Sequence, residues 1–481
     1  MGCANFIEHY NLWNQEQQDA ALEVVGKAKE KKLEVIRLSF ADQHGILRGK
    51  TIFVDVLESV MHNGCSIPIG LLVKDTSHRA VYPVFAAGAG MSMQEMAGGG
   101  NFLIVPDPTT FCSLPWAPET GWMLCDMFFS NGTPVPFSTR QLLKQTLGKL
   151  ADEGFDYVAG LEVEFNIFKL EDPHLKPEQS GQPAMAPEVS LLAHGYQVYT
   201  EIRMDELDPV LGIIRKNLKK IGLLPRTMEV EFGPGQCEIT FPPAMGLKAA
   251  DSMVIFRNVV KQICRRHGYH ATFMCRPKLP NMFANGWHLH QTLYDRRTEK
   301  NVFVPDENEK VLSATGRYFV AGLLEHACAS SLFSTPTING YKRYAPYSLA
   351  PDRANWGFDN RGVMIRVIGG NGDPGTRIEN RVGEPAANPY LYMASQIVAG
   401  MDGVRKQSVP PPTSNTPYED EVQKLPRSLM EAISALRGSE LFRQDFGQRF
   451  VDYILTVKEF EVSRFLSHVT DWEQQEYFEL F

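Results

Sequence analysis

The chain has 481 residues, 43% hydrophobic and 22% charged, the proportions of an ordinary soluble globular protein and more than one typical domain holds. Its net charge of -8 argues against a general nucleic-acid or anionic-membrane partner. No apolar run reaches membrane-spanning length, and the eight cysteines contain no Cys-x-x-Cys pair, so they read as free thiols of a reducing cytoplasm.

In chain order, residues 15–32 carry Ala21, Leu22, Val25 and Ala28 among polar neighbours, which predicts an amphipathic helix. Alternation over 33–40, a turn at Asp42-Gln43-His44-Gly45 and a return over 46–54 predict a β-hairpin. Residues 88–100, rich in glycine and methionine, read as a flexible loop, and 102–108 and 122–128 as further strands of a first domain, residues 1–132. Pro134-Val135-Pro136 marks the boundary of a second domain, residues 133–481, which opens with Ser138 capping a helix over about 139–153.

The run Gly160-Leu161-Glu162-Val163-Glu164-Phe165 reads as a strand. Side chains alternate faces, so Glu162 and Glu164 point one way and Leu161, Val163 and Phe165 the other. Two carboxylates about 6 Å apart at an effective dielectric of about 20 repel by roughly 3 kcal/mol, so an enclosed pair requires cations or raised pKa values. The same i, i+2 device recurs in Glu229-Val230-Glu231, His288-Leu289-His290 and Arg377-Ile378-Glu379-Asn380-Arg381. Gly233-Pro234-Gly235 predicts a hairpin with Glu231 and Glu238 on its two sides. A polar loop over 171–188 and helices near 206–221, 247–267 and 311–331 separate these strands. Asn388-Pro389 starts a helix over 389–403, residues 405–425 form a surface connection, and the remainder is amphipathic helix.

If the strands converge, Glu162, Glu164, Glu231, Glu238 and Glu379 share a cavity with His288. That donor set is oxygen-rich and thiolate-free, which favours Mg²⁺ or Mn²⁺ over zinc, with ligands enough for two ions. Arg343, Arg361, Arg366, Arg377 and Arg381 follow in the sequence. Hard divalent metals with several arginines are the equipment of phosphoryl transfer, which predicts a nucleotide-dependent enzyme.

Six motifs in order, Gly160-x-Glu162-x-Glu164-Phe165, Gly233-Pro234-Gly235-Gln236-x-Glu238, Gly286-x-His288-x-His290, Asn339-x-Tyr341-Lys342-Arg343, Asn360-Arg361 with Arg366, and Arg377-Ile378-Glu379-x-Arg381, resemble glutamine synthetase across residues 35–481. The resemblance implies an α+β fold: a small N-terminal β-grasp domain and a large catalytic domain on a curved antiparallel sheet. It also implies a homo-oligomer of stacked rings, usually a dodecamer, with active sites between neighbouring subunits. Carried over by position, Glu164, Glu231 and Glu238 hold one metal and Glu162, His288 and Glu379 the other. His290, Arg366 and Arg377 meet the phosphates of ATP. Gly286, Arg343, Arg361 and Arg381 hold glutamate, with Arg343 and Arg361 also serving the transferred phosphoryl group. The implied chemistry is phosphorylation of the glutamate γ-carboxylate by ATP, then attack of an amine on γ-glutamyl phosphate.

The sequence departs from ammonia-using members at three places. Their Gly-Tyr-Glu-Ala-Pro is replaced by Tyr347-Ser348-Leu349-Ala350-Pro351, and their Asp-Gly-Ser-Ser has no acidic counterpart near residues 63–70. Their Asn-Gly-Ser-Gly is replaced by Phe283-Ala284-Asn285-Gly286. Losing two acids removes the charge that captures ammonium, while leucine supplies apolar surface, where burial at about 25 cal/mol per Å² favours an apolar amine by a few kcal/mol. The expectation is a glutamate–amine ligase for a hydrophobic monoamine, aniline or an alkylamine, with Leu349, Phe283, Tyr196 and Ile67 lining the amine pocket. Ammonia and polyamines stay open as alternative acceptors.

Overall fold

Two sheets drawn from separate stretches, 35–128 and 155–380, organise the chain, whose computed structural model describes residues 5–86, 91, 93–305 and 311–481. The first sheet contains β1 (Val35–Ala41), β2 (Leu47–Phe53), β3 (Cys65–Pro68), β4 (Asn101–Pro106), β5 (Cys112–Ser113) and β6 (Thr120–Phe128). Its order is β2-β1-β6-β4-β3, with β5 on β6. The expected hairpin forms in register from Val35 opposite Phe53 to Ala41 opposite Leu47. β1 and β6 run parallel, which local alternation does not encode. Helix Gln15–Glu30, capped by Asn14, buries Val24 and Ala28. Of the loop expected over 88–100, residues 88–90 and 92 lie outside the described residues; Gln94–Gly99 makes 3₁₀ turns that bury Met96.

The second sheet is built around β7 (Phe155–Asp172). It adds β8 (Glu188–Ser190), β9 (Thr227–Val230), β10 (Gln236–Thr240), β11 (Ala244–Met245), β12 (Tyr269–Thr272), β13 (Trp287–Asp295), β14 (Lys300–Asn301), β15 (Trp356–Phe358), β16 (Ile365–Ile368) and β17 (Arg377–Asn380). The path β15-β16-β17-β13-β7-β10-β9 is antiparallel except for the parallel edge pair β15 and β16. The apolar face of β7 meets helix Leu247–Arg266: the Phe165 ring packs edge-on to Phe256 at 5.7 Å and stacks on Phe273 at 5.1 Å. Helix Pro389–Lys406, capped by Asn388, is buried along most of its length.

Helices depart from expectation where the chain breaks without a strong local signal. The helix expected over 311–331 is two, Ala314–Glu325 and Ala327–Ser334, divided at His326. The C-terminal part is four, Leu429–Arg437, Glu440–Phe446, Gln448–Leu466 and Asp471–Tyr477. Gly438 and Gly447 fall at its first two interruptions, and Gly447 holds φ +86°. No helix among the described residues is long and apolar enough to cross a membrane.

The first sheet is joined to the second through Arg140. Its guanidinium donates to Asp107 (2.8 Å) and Asp126 (2.9 Å) of the N-terminal part, and to both oxygens of Asp251 (3.0 and 2.8 Å) on helix Leu247–Arg266. Tyr390 Oη adds a bond to Asp251 at 2.7 Å.

Candidate active site

The registers between β9, β10, β7, β13, β17 and β16 gather the chemistry on one face. Glu238 lies opposite both Glu229 and Glu164, and Glu162 lies opposite His288. His290 lies opposite Glu379, itself opposite Arg366. Because faces alternate, the neighbours Leu161, Val163, Ile239, Leu289 and Ile378 are buried in the core.

These side chains wall a cavity of about 440 Å³ lined by Glu162, Glu164, Glu229, Glu231, Glu238 and His288, with Arg343, Arg361, Arg366 and Arg381 across from the acids. Arg343 ends the turn Gly340–Arg343 and is fixed by donating to the Arg381 carbonyl at 2.8 Å. Glu379 is fully buried beneath; Arg366 donates to it at 3.0 Å and Arg381 donates to its other oxygen.

Hydrogen bonds fix both histidines. His288 Nδ1 reaches Glu162 Oε1 at 2.6 Å, and its Nε2 faces Arg343 Nη2 at 3.2 Å. His290 Nε2 reaches Glu162 Oε2 at 2.9 Å, and Arg377 Nε donates to its Nδ1 at 3.2 Å. Each ring therefore gives its one proton to Glu162 and turns its lone pair to an arginine. Burial and the nearby Arg381 push His288 down to about 4. Burial opposes ionisation of Glu162, but the bonds from His288 and His290 outweigh it and hold the carboxyl far below its usual range.

The remaining acids are strained by their company. Burial pushes Glu164 and Glu231 up to about 7, and burial with repulsion from Glu162 and Glu164 pushes Glu238 up to about 10. Glu231 and Glu238 form no ion pair among the described residues, and the buried Oε2 of Glu229 has no hydrogen-bond partner. Glu162, Glu238 and His288 offer ligand atoms within 4.8 Å of one another, as do Glu162, His290 and Glu379. A crowded set of carboxylates with imidazole and no thiolate fits hard divalent cations.

Gly286 leaves room for this arrangement: its amide donates to Glu164 Oε2 at 2.8 Å, and a Cβ there would stand 2.6 Å from Arg343 Nη2 and 2.9 Å from His288 Nε2. Gly286→Ala must displace Arg343. We expect kcat/KM to fall by about 10- to 100-fold, with Tm moved by less than about 3 °C; unchanged kinetics would remove Arg343 from the reaction.

Of the residues expected to line an amine pocket, Phe283 and Leu349 stand in this cavity. Ile67 does not: it is 2% exposed in β3, paired with Phe102 in the core of the first sheet, so its side chain has no open surface. Tyr196 does not either; it lines a separate cavity beside Pro234 and donates from Oη to the Asn281 carbonyl at 2.7 Å. Sequence reasoning assigned no role to Glu229, Phe232, Tyr199, Arg276, Met282 and Lys342, which the cavity includes. Glu229 carried a signal in its alternation with Glu231, and Lys342 in its place beside Arg343 in the Asn339-x-Tyr341-Lys342-Arg343 motif.

The apolar part of the wall comprises Phe232, Met282, Phe283, Ala345 and Leu349, with the Phe232 and Phe283 rings 5.3 Å apart. Leu349 is 44% exposed at φ +60°, two residues after Tyr347 at φ +61°, and its carbonyl accepts from Arg381 at 3.4 Å. A non-glycine residue in this region costs roughly 1–2 kcal/mol, so the surroundings hold the leucine where it is.

A family model, the catalytic domain of glutamine synthetase, matches residues 136–477. The chain is 43% identical over 495 residues to gamma-glutamylanilide synthase of Acinetobacter sp, covering 99% of each. It is 29% identical to glutamate–isopropylamine ligase of Pseudomonas sp, over 97% of this chain and 100% of that one. Its fold is similar to that of the GmaS/ADP complex, with a TM-score of 0.78 at 27% identity, covering 95% of this chain and 99% of that one.

Proposed function

The chain belongs to the glutamine synthetase family and is a ligase of it, and from that premise we propose that it joins the γ-carboxylate of L-glutamate to a hydrophobic monoamine, aniline or an alkylamine, at the expense of ATP. The reading rests on Leu349: where ammonia-using members carry a glutamate, an exposed leucine shares a wall with Phe232 and Phe283. The names of the two relatives, one for anilide formation and one for isopropylamine ligation, support it.

In this proposal Glu164, Glu231 and Glu238 hold one Mg²⁺ or Mn²⁺ and Glu162, His288 and Glu379 a second. When bound, the ions supply positive charge to phosphate oxygens. The chain's own residues supply the rest. His290, Arg366 and Arg377 face the phosphates of ATP; Gly286, Arg343, Arg361 and Arg381 orient glutamate and hold the transferred phosphoryl group. A γ-carboxylate oxygen attacks the terminal phosphorus and ADP leaves. The amine nitrogen then attacks the acyl carbon, and phosphate and a proton are released. An aromatic amine is neutral at pH 7, so it needs apolar surface rather than a carboxylate to be captured. Stacked rings with sites shared between subunits belong to the same proposal.

Substituting Leu349 separates this reading from ammonia use. Leu349→Glu is expected to lower kcat/KM for aniline, neutral at pH 7, by at least about tenfold and to raise that for ammonium, because a carboxylate favours the cation and opposes the apolar group. Leu349→Ala should weaken the monoamine and leave ammonium unaffected. An acceptor ratio that neither substitution moves would contradict the assignment.

A further inference from the structure

A second cavity, of about 960 Å³, lies away from the acidic one. It is walled by helix Leu247–Arg266, by β12 and the residues after it, and by the turn at residues 43–47. The protein carries a net charge of -8, yet this cavity is lined by Arg257, Lys261, Arg265, Arg266 and Lys458 and, among the described residues, by no aspartate or glutamate.

Neither Arg257 nor Lys261 forms an ion pair among the described residues, and the carboxylates that act on Arg257 are those of Asp42 and Glu384. The Arg257 guanidinium donates to three carbonyls, of Pro385 (2.9 Å), Ala387 (2.7 Å) and Gly45 (2.9 Å), and burial lowers its pKa to about 10. Lys261 reaches the Ala271 carbonyl at 3.4 Å, and burial with the neighbouring Arg257 holds it below the usual lysine range. Lys458, by contrast, is paired with Glu461 at 3.0 Å. Arg257 is half-buried and Lys261, Arg265 and Arg266 are exposed, and cations gathered on one wall repel one another, which an anion among them relieves.

The other walls are apolar, formed by Val254, Phe273, Leu332 and Phe333. We propose that this cavity is a second ligand site, for a small organic anion whose carboxylate or phosphate head meets Arg257 and Lys261 and whose apolar body lies against Phe273, Leu332 and Phe333. Met274 lines this cavity and Arg276 the acidic one, so the two sites are joined by a single stretch of chain. The assignment is independent of the acceptor amine.

The test is calorimetric titration of the full chain with 1-naphthoate, 1-naphthyl phosphate and the neutral 1-naphthylmethanol. One anion per chain is expected to bind at least about tenfold tighter than the neutral compound, and the tighter of the two anions identifies the head group. Lys261→Glu should weaken the anions at least about tenfold and leave the neutral compound, the Tm and ligase turnover unchanged; Arg265→Glu provides a second variant on the exposed end of the helix. A crystal structure of the complex should place the anion beside Lys261. Equal affinity for charged and neutral probes, indifference to both substitutions, or no binding at millimolar concentration would overturn the proposal.

Discussion

Replacing Glu238 with glutamine is expected to lower kcat by about a thousandfold or more while leaving the metal-free protein as stable as before, or more so. Glu238 lies directly opposite Glu229 and Glu164, is buried, and makes no ion pair among the described residues. Ionising Glu238 is unfavourable to the fold, and in the proposed reading its charge serves a bound cation. Glutamine keeps the shape of the neutral acid and cannot ionise. Metal dependence separates the two effects. A ligand at about 100 times its Kd stabilises the wild type by about 2.7 kcal/mol, so EDTA should lower its Tm, and Glu238→Gln should lose most of that response. A large fall in metal-free Tm would mean that Glu238 holds the fold together and would contradict the assignment.

The second large effect falls on stability. Arg140→Met is expected to cost about 3–5 kcal/mol, because it leaves the carboxylates of Asp107, Asp126 and Asp251 buried with their shared counter-charge gone. Lys144 continues to pair with Asp126 and retains part of the stabilisation there. The network also sets an acid limit. Burial opposes the ionisation of Asp107, but Arg140 and Lys144 outweigh it and lower the pKa from 3.8 to about 2. A folded pKa below the unfolded one gives stability that is present above pH 3.8 and lost as pH falls towards 2. Urea unfolding from pH 6 to pH 2 should show that loss in the wild type and little of it in Arg140→Met. An unchanged urea midpoint in the variant at pH 6 would show that the buried acids find other partners.

Local periodicity carries only part of this site. Alternation along one strand is set by the pleat, so Glu162 and Glu164, or His288 and His290, can be assigned to a shared face from the letters alone. Which strands are neighbours is a long-range property: β13 enters beside β7 more than a hundred residues later, and that register sets His288 against Glu162. The contributions of Phe232, Arg276 and Lys342 come from loops and turns whose paths no repeat encodes. Apolar letters are ambiguous in another way. Ile67 and Leu349 are equally apolar, yet one faces Phe102 in a core and the other lines a cavity, because burial depends on the second layer of the fold rather than on the residue. Tyr196 was drawn away from the acids by its own turn, where its amide donates to the Phe232 carbonyl at 2.5 Å and its φ is +59°.

ADP release by the purified full chain with ATP, Mg²⁺ and L-glutamate, measured across aniline, isopropylamine, ethanolamine, putrescine and ammonium, tests the exposed leucine most directly. Turnover with a hydrophobic monoamine that exceeds the rate with ammonium by at least about tenfold is the predicted result. Ammonium or putrescine as the best acceptor would contradict it.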